Sequence, residues 1–442
     1  MAFEASGNCI MGRSPRPSCQ QNAARPPLPS GEGAPTLARG VDNPSKLFTP
    51  PPAIKSAEMI KFPALDGLRG WLAWIVVLDH LVFFSGFGLP WVSREAAQVA
   101  GTAAVMIFVI LSGFVITHLL LEKREPYGLY LARRALRIFP VYLLALLAGV
   151  GTTFLTFRAF LTPDGAPDPV ALASLAYPEL DVLRYDWAAL HSGAYFAHLA
   201  LHLALLHGVV SQNVLPHAQL MFLSPAWSLS LEWQFYLVAP FVVRAAARKG
   251  VSIALVLAAL VLFVLSNLNL FGSWGMPSFL PSASLYFAVG IASRLLVTGQ
   301  PFRFSAWHAA SLVLLVAGFL LVDAWRLPVE IWAVFFAVSR YQDRGGPLAG
   351  AAGRVFQALF ESRLARHLGN ASYSTYLVHV PLLQLAMFVA VRVLALAPAT
   401  ATLFIAVTTV ASTWGVSQLA YRHVELPFIA RGKQLRGGEP AR

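Results

Sequence analysis

Charge is scarce in this chain, and so is cysteine. Only 12% of the 442 residues are Asp, Glu, Lys or Arg, which is about half the share in an ordinary soluble domain. By contrast, 57% of the residues are hydrophobic, and the mean hydropathy is +0.62. Both cysteines, Cys9 and Cys19, lie in the N-terminal tail, so the apolar body has no disulfide framework, thiol nucleophile or cysteine metal site. The composition predicts an all-α integral membrane protein.

The first 58 residues are too poor in large apolar side chains to form a packed core. They are rich in Pro, Gly, Ser and Ala, as in SPRPSCQQNAARPPLPSGEGAPTLARG, and this composition predicts disorder. No apolar run follows their Arg residues before residue 71, so we expect no cleaved secretory signal. We divide the chain into this tail (1–58), a membrane domain (59–430) and a short basic tail (431–442).

The net charge of +12 indicates membrane topology rather than a nucleic-acid partner. Arg and Lys occur in short clusters between long apolar runs, as is typical of cytoplasmic loops. One such cluster, EKREPYGLYLARRALR, separates the second apolar run from the third. This cluster predicts a cytoplasmic N-terminus.

The apolar runs predict about ten transmembrane helices, each of which needs about 20 residues. If AYFAHLALHLALLHG were a further span, the basic cluster RAAARKG would lie outside, so we expect a re-entrant or outer-surface helix near 195–211. Both termini are then cytoplasmic, in a multi-pass protein of the inner (plasma) membrane. The predicted spans are 67–86, 100–121, 138–157, 226–243, 251–271, 281–298, 307–324, 327–340, 370–393 and 398–420.

The first span, in LDGLRGWLAWIVVLDH, carries titratable side chains. Arg69 and His80 are eleven residues apart, which brings them within roughly 20° of one helix face and about 16 Å apart along the axis. Asp66 lies one turn before Arg69 on much the same face. Arg69 alone would be interpreted as an inside anchor, but an ionisable group at the depth of His80 indicates a proton, ion or substrate path. Asp66, Arg69 and His80 are therefore candidate catalytic residues.

Glu232 is the second candidate for acid–base work. It lies about a third of the way into a span entered from outside, so we expect it at a depth similar to that of His80. Arg134 and Arg137, at positions i and i+3, present two guanidinium groups on one helix face, which suits a phosphate-bearing ligand. Ordinary topology-setting charge is an equal alternative for these arginines.

Several aromatic and polar residues are candidates for substrate contact. Trp227, Ser230 and Tyr236 offer hydrogen bonds or stacking for a sugar, although such residues are common at helix interfaces and bilayer boundaries, which favours a packing role. In LGNASYSTYLVHVP, Tyr373, Tyr376 and His379 enter an otherwise apolar span. A satisfied structural histidine is a close alternative for His379.

These motifs resemble the acyltransferase family 3 of integral membrane O-acyltransferases, over about residues 59–430. The similarity includes an Arg-x10-His spacing and further stretches in the family's order. These are IFVILSGFVI (107–116), RRALRIFPVYLL (133–144), PAWSLSLEWQFYLVAPF (225–241), YFAVGI (286–291), LGNASYSTYLVHVPLL (368–383) and RHVELP (422–427). The resemblance implies transfer of an acyl group, acetyl by default, from cytoplasmic acyl-CoA to a hydroxyl of a cell-surface or lipid-linked glycan.

The resemblance also implies roles for the candidate residues. His80 would be a general base or a transient acyl carrier, and Arg69 would orient the donor. Arg134 and Arg137 would bind the phosphates of CoA, and Glu232 would pair with His80 or tune it. No metal is expected. Since no hydrolase-type domain of the kind that some members carry follows the last span, we expect no second soluble transfer step.

A proton-coupled transporter or glycolipid flippase is the main alternative, because it would use the same intramembrane His, Glu and Arg groups. It predicts inverted repeats, and the sequence shows no such internal similarity. A non-catalytic glycan-binding protein is a weaker third alternative.

Overall fold

The structure is a computed structural model that describes residues 62–86, 93–123, 125–175, 177–248, 250–297, 305–322, 325–341 and 347–435. The predicted disordered tail (1–58) and most of the basic tail (431–442) lie outside these ranges. Within them the chain forms helices and turns without a β-strand, apart from one isolated bridge between Leu161 and Pro167. The all-α prediction is confirmed for this part of the chain.

The described residues contain sixteen α-helices. In chain order they are α1 (Pro63–Ser85), α2 (Arg94–Glu122), α3 (Tyr127–Phe160), α4 (Pro169–Ser174), α5 (Leu180–Leu190), α6 (Ala194–Leu203), α7 (Trp227–Ala246), α8 (Val251–Asn267), α9 (Ser284–Leu296), α10 (Ala306–Leu321), α11 (Leu327–Tyr341), α12 (Pro347–Phe360), α13 (Arg363–Asn370), α14 (Ser372–Phe388), α15 (Pro398–Ala420) and α16 (Leu426–Gln434). Short π-helical segments, Val389–Val393 and Tyr421–Glu425, extend α14 and join α15 to α16.

Each predicted span coincides with a helix, and five helical units of the described chain are long and apolar enough to cross a membrane. They are α1, α2, α3, α14 with its π-helical extension, and the unit from α15 to α16. The apolar helices α8, α9 and α10 are shorter. The count of ten spans and the cytoplasmic position of the termini stay predictions.

The segments between the predicted spans contain helices that the sequence analysis missed. The supposed loop from Arg340 to Arg366 includes α12 and α13, and the region between α3 and α7 includes α4 and α5. These helices were missed because they are much shorter than the apolar run that a membrane span requires. The expected non-spanning helix near 195–211 corresponds to α6, whose ten residues reach only about 15 Å.

Glycines allow α1 to pack directly against the backbone of its neighbours. A Cβ atom at Gly67 would lie 2.0 Å from the carbonyl oxygen of Phe360, and one at Gly369 would lie 2.0 Å from that of Asp66. A Cβ at Gly70 would lie 2.6 Å from the amide nitrogen of Gly369. All three distances are shorter than real Cβ contacts, so no larger residue fits without a shift of the helices. This packing fixes the position of α1 along its own axis relative to α12 and α13.

On its other side, α1 packs against α2. A Cβ at Gly101 would lie 2.1 Å from the Asp79 carboxylate, so the glycine leaves the space that Asp79 occupies. Further along α2, the buried Arg294 of α9 donates to Nδ1 of His118 at 3.0 Å and to Glu122 at 3.1 Å. These contacts hold α2 and α9 together beside α1.

Candidate active site

The catalytic candidate His80 on α1 contacts His379 on α14. Nδ1 of His80 lies 2.9 Å from Nε2 of His379, and Nδ1 of His379 lies 3.2 Å from the carbonyl oxygen of Thr375. Because a carbonyl oxygen only accepts hydrogen bonds, Nδ1 of His379 carries a proton and its Nε2 is the acceptor. Nδ1 of His80 therefore donates to His379, and the lone pair of His80 lies on Nε2.

Aromatic rings flank this histidine pair on both sides. The ring of Phe84 stacks on His80 at a centroid distance of 6.1 Å and an angle of 24°. The ring of Tyr376 lies 6.1 Å from that of His379. His379 is fully buried and His80 is partly exposed, so His80 is the member of the pair that a substrate can reach.

Tyr376 also lines a cavity of about 140 Å³, here called the arginine cavity. Helices α1, α2, α3, α7 and α14 all contribute to it. Its polar lining consists of Arg69, Ser112, Arg134, Arg137, Ser228, Glu232, Tyr236, Ser372, Tyr373 and Tyr376. The sequence analysis named six of these residues as candidates (Arg69, Arg134, Arg137, Glu232, Tyr236 and Tyr373), and the fold brings them to one place.

Glu232 belongs to the arginine cavity rather than to the histidine pair. Its Oε1 accepts hydrogen bonds from Ser112 at 3.1 Å and from Tyr236 at 2.5 Å. The expected pairing of Glu232 with His80 is not seen, because the hydrogen bonds from Ser112 and Tyr236 hold its carboxylate in the arginine cavity and the partner of His80 is His379. The depth of Glu232 in the bilayer and its tuning of His80 stay predictions.

Arg134 and Arg137 face two cavities at once. They also line a second cavity of about 280 Å³, here called the basic cavity, together with Lys123, Glu125, Arg133 and Lys433. The Nε of Arg134 is buried and has no hydrogen-bond partner among the described residues. A buried donor without a partner is costly, and an anion in either cavity would supply the missing acceptor.

Arg133 has a different role from its two neighbours. It pairs with Glu125 and donates to the carbonyl oxygens of Gly432 at 3.0 Å and Leu435 at 2.8 Å. Its guanidinium group thereby attaches the end of α16 to α3. The guanidinium group of Arg133 is thus used in structural contacts, whereas Nε of Arg134 can still donate a hydrogen bond to a ligand.

The remaining candidates divide between the cavity and the fold. Asp66 lies 3.8 Å from Arg69 with a side chain that is 58% exposed, so it is an ion-pair partner at the edge of the site. Tyr373 lines the arginine cavity and donates to the carbonyl oxygen of Ile138 at 2.7 Å. Tyr236 lines it beside Glu232.

Two predicted substrate-binding residues have structural roles instead. The fully buried hydroxyl of Ser230 donates to the Leu205 carbonyl oxygen at 2.7 Å and accepts from the Gly208 amide at 3.1 Å. Trp227 is only 6% exposed and packs in the hydrophobic core. Because the sequence does not show which face of α7 meets another element, it could not separate these residues from Glu232 and Tyr236.

The sequence analysis missed two residues of the site, Ser112 and Glu425. Ser112 is the polar side chain in the apolar stretch IFVILSGFVI. Glu425 is buried, accepts from Ser374 at 2.8 Å and interacts electrostatically with Arg137 and Arg69. The position of Ser112 in an apolar span was a signal that could have identified it.

Histidines of α6 and the following turn form a separate cluster. The rings of His202 and His207 stack at 4.0 Å, and both residues are fully buried. In the part of the chain that the structure describes, no group of three or more His, Cys, Asp or Glu side chains is arranged to hold a metal ion.

Comparison with known proteins gives one family and two curated relatives. Residues 62–418 match the model of the Acyltransferase domain family. The chain is 25% identical to peptidoglycan O-acetyltransferase OatA of Listeria monocytogenes over 399 residues, which are 84% of this chain and 56% of that protein. It is 28% identical to acyltransferase MdmB of Streptomyces mycarofaciens over 188 residues, 41% of this chain and 39% of that protein. The chain thus spans about half the length of these relatives or less, and no solved structure matches it.

Proposed function

The chain belongs to the acyltransferase family whose model spans residues 62–418, and on this premise we propose that it is a membrane-embedded O-acyltransferase. The proposed reaction moves an acyl group, acetyl in the simplest case, from acyl-CoA to a hydroxyl of a cell-surface or lipid-linked glycan. One observation carries the proposal: the basic cavity, the arginine cavity and the His379–His80 pair adjoin one another in that order. Arg134 and Arg137 join the two cavities, and Tyr376 joins the arginine cavity to His379.

The basic cavity is the proposed site for the phosphates of CoA. Lys123, Lys433, Arg134 and Arg137 supply positive charge there, against the single carboxylate of Glu125. Guanidinium groups bind phosphate oxygens through paired, charge-assisted hydrogen bonds. The unpartnered Nε of Arg134 supports this assignment, because a phosphate oxygen is the acceptor that it lacks.

The arginine cavity is the proposed site for the thioester end of the donor. Arg69, which lines this cavity, would orient the donor through its positive charge. The two hydrogen bonds that Glu232 accepts hold its carboxylate beside the arginines, where it balances part of their charge. At the solvent-exposed edge of the site, Asp66 forms an ion pair with the guanidinium group of Arg69.

His80 is the proposed general base. Its Nε2 takes the proton of the acceptor hydroxyl while the oxygen attacks the thioester carbonyl carbon. The new C–O bond forms, the C–S bond breaks, and the leaving thiolate of CoA takes up a proton. His379 accepts the Nδ1 hydrogen of His80, so it fixes the reactive tautomer and stabilises the imidazolium ion. The same Nε2 would carry the acyl group if transfer passed through an acyl-histidine.

The proposal includes a direction across the bilayer. The end of α1 with Arg69 would face the cytoplasm, where acyl-CoA is made, and the end with His80 would face the glycan outside. The basic clusters in the loops support this orientation through the positive-inside rule. Multi-pass insertion in the inner membrane, with both termini cytoplasmic, is part of the same proposal.

Purified protein in lipid nanodiscs, supplied with radiolabelled acetyl-CoA and host envelope glycan, tests this function. We expect label on the glycan and release of free CoA, and we expect His80→Ala to lose both. His191→Ala, which removes an exposed histidine outside the site, is the matched control and should retain both. If wild-type protein leaves the thioester intact but moves the glycan lipid across vesicles, the chain is a transporter and the proposal is wrong.

A further inference from the structure

A small polar cavity lies beyond Phe84, at the end of α1 that carries His80. Its volume is about 30 Å³, and we call it the Asp186 cavity. Its lining comes from α1, α3, α5, α14 and the segments that precede α5 and α7. Phe84, Glu179, Asp186 and Ser224 are among the residues that line it.

Two side chains in this cavity have buried polar atoms without partners. Asp186 is only 7% exposed, and its Oδ1 has no hydrogen bond among the described residues. The Oγ of Ser224 is likewise buried and without a partner there. Buried polar atoms are almost always hydrogen-bonded in folded proteins, so an occupant with polar atoms, either water or a polar group of a ligand, is expected in this space.

The side chains of the Asp186 cavity favour a hydroxyl group as the bound group. One alcohol oxygen can donate to one of these side chains and accept from the other. Burial, and to a smaller extent the nearby carboxylate of Glu179, raises the pKa of Asp186 to about 8. Burial also raises the pKa of Glu179. At neutral pH the Asp186 carboxyl is therefore mostly uncharged, which favours a neutral alcohol over a cation.

The size of the cavity limits how much of a ligand can enter. A buried water needs about 10–15 Å³ of this kind of space, so the cavity of about 30 Å³ admits two or three atoms of that size. A sugar ring is too large, whereas a single hydroxyl or hydroxymethyl group fits. The rest of such a ligand would lie outside the cavity.

The cavity is close to the proposed base. Phe84 lines the cavity and its ring also stacks on His80, so one aromatic side chain separates the two. A glycan anchored in the cavity by one hydroxyl would have its neighbouring hydroxyls near His80.

We propose that the Asp186 cavity binds a hydroxyl group of the glycan acceptor and so positions another hydroxyl of the same glycan at Nε2 of His80. This inference rests on the proposed function. It assigns Asp186 and Ser224 as acceptor-binding residues, at the opposite end of α1 from the donor cavities.

Steady-state kinetics with each substrate varied in turn test the inference. The probes are acetyl-CoA and soluble oligosaccharides released from the host envelope. We expect Asp186→Leu to raise the apparent KM for the oligosaccharides about tenfold, as the loss of one buried hydrogen bond predicts. The KM for acetyl-CoA should stay within about twofold, since the donor binds at the other end of α1. Asp181→Asn, on the same helix with a 98% exposed side chain, should change neither KM.

Thermal unfolding separates binding from a structural role. Replacing a buried polar group that lacks a partner by an apolar one is neutral or stabilising, so Asp186→Leu should keep or raise the unfolding midpoint while it weakens acceptor binding. Ser224→Ala, a smaller change, should raise the oligosaccharide KM about threefold.

An unchanged oligosaccharide KM in Asp186→Leu, with wild-type protein active, would overturn the inference alone. Equal rises of both KM values with a lower unfolding midpoint would also overturn it, because Asp186 would then be structural. Wild-type protein without any acetyl transfer would overturn the proposed function and this inference together.

Discussion

At the scale of single residues, the direction of one hydrogen bond decides what His80 can do. The Thr375 carbonyl fixes the proton of His379 on Nδ1, and His379 in turn fixes the proton of His80 on Nδ1. The nitrogen left for chemistry is Nε2 of His80. His379 is in this scheme a positioning residue, because it acts through His80 and not on the substrate.

Replacement of His379 should therefore lower turnover without weakening donor binding. We expect His379→Ala to reduce kcat about 10²- to 10⁴-fold, the range for loss of correctly positioned acid–base catalysis, with the KM for acetyl-CoA unchanged. His379→Gln should recover part of that loss, since the amide oxygen of Gln can accept the Nδ1 hydrogen of His80. If kcat of the Gln variant is no higher than that of the Ala variant, the positioning role is wrong.

Neighbouring arginines on α3 should respond differently to substitution. Arg134→Gln should raise the KM for acetyl-CoA about tenfold or more, since a hydrogen bond to a charged group contributes about 1.5–3 kcal/mol. S-acetyl-N-acetylcysteamine, which lacks the CoA phosphates, should show no such rise.

Arg133→Gln is the matched control for this experiment. It should lower the unfolding temperature, since Arg133 holds α16, and raise the donor KM less than Arg134→Gln does, because Arg133 lines the basic cavity but is paired with Glu125. A rise of the acetyl-CoA KM in Arg133→Gln but not in Arg134→Gln would contradict the assignment of the phosphate site.

At the scale of elements, the glycine contacts of α1 set the geometry of the site. Gly369→Ala would place a Cβ 2.0 Å from the carbonyl oxygen of Asp66, and we expect overpacking to destabilise the protein by about 1–3 kcal/mol. Gly415→Ala is the control, because nothing lies within 4 Å of its added Cβ, and helix propensity favours Ala over Gly. Thermal unfolding of both variants checks this, and equal midpoints would show that the helices separate easily.

The positions of the helices along the chain were largely predictable from the sequence, whereas the contacts between side chains of different helices were not. Long apolar runs bounded by charged or turn-forming residues located α1 and α15 within a few residues. The pairing of Glu232 with His80 was wrong because no local pattern shows which side chains of other helices these two residues meet in the folded chain. The role of Ser230 depends on the turn at 205–208, which approaches it only in the folded chain. The meeting of the candidate residues at one cavity depends on tertiary packing. In the sequence, only the recurrence of ionisable groups in apolar spans indicated a shared site.

At the scale of the whole molecule, the proposed sites follow one another from the basic cavity to the Asp186 cavity. Such an order lets an acyl group pass between two aqueous compartments while CoA and the glycan each stay on their own side. The bilayer crossing would then be made by a small group, which avoids moving a charged nucleotide or a sugar through hydrocarbon.

Cysteine accessibility can measure the orientation that this order requires. The chain has only Cys9 and Cys19, so Cys9→Ser with Cys19→Ser gives a cysteine-free background. In it, Asp181→Cys, at a 98% exposed side chain, should react with a membrane-impermeant maleimide in intact cells. Lys433→Cys, also at an exposed position, should react only after permeabilisation. The reverse pattern would invert the proposed orientation.

The close contacts of Gly67, Gly70, Gly101 and Gly369 have a consequence for genetic screens of this chain. When every position is substituted in turn, these four glycines should tolerate replacement as poorly as His80 does, although they touch no substrate. The positions separate by what restores function. A larger residue at Gly101 would meet only the side chain of Asp79, which a smaller residue at 79 can relieve, whereas one at Gly67, Gly70 or Gly369 would meet backbone atoms of the facing helix. Suppressor screens would therefore yield compensating changes for Gly101, few for the other three glycines and none for His80.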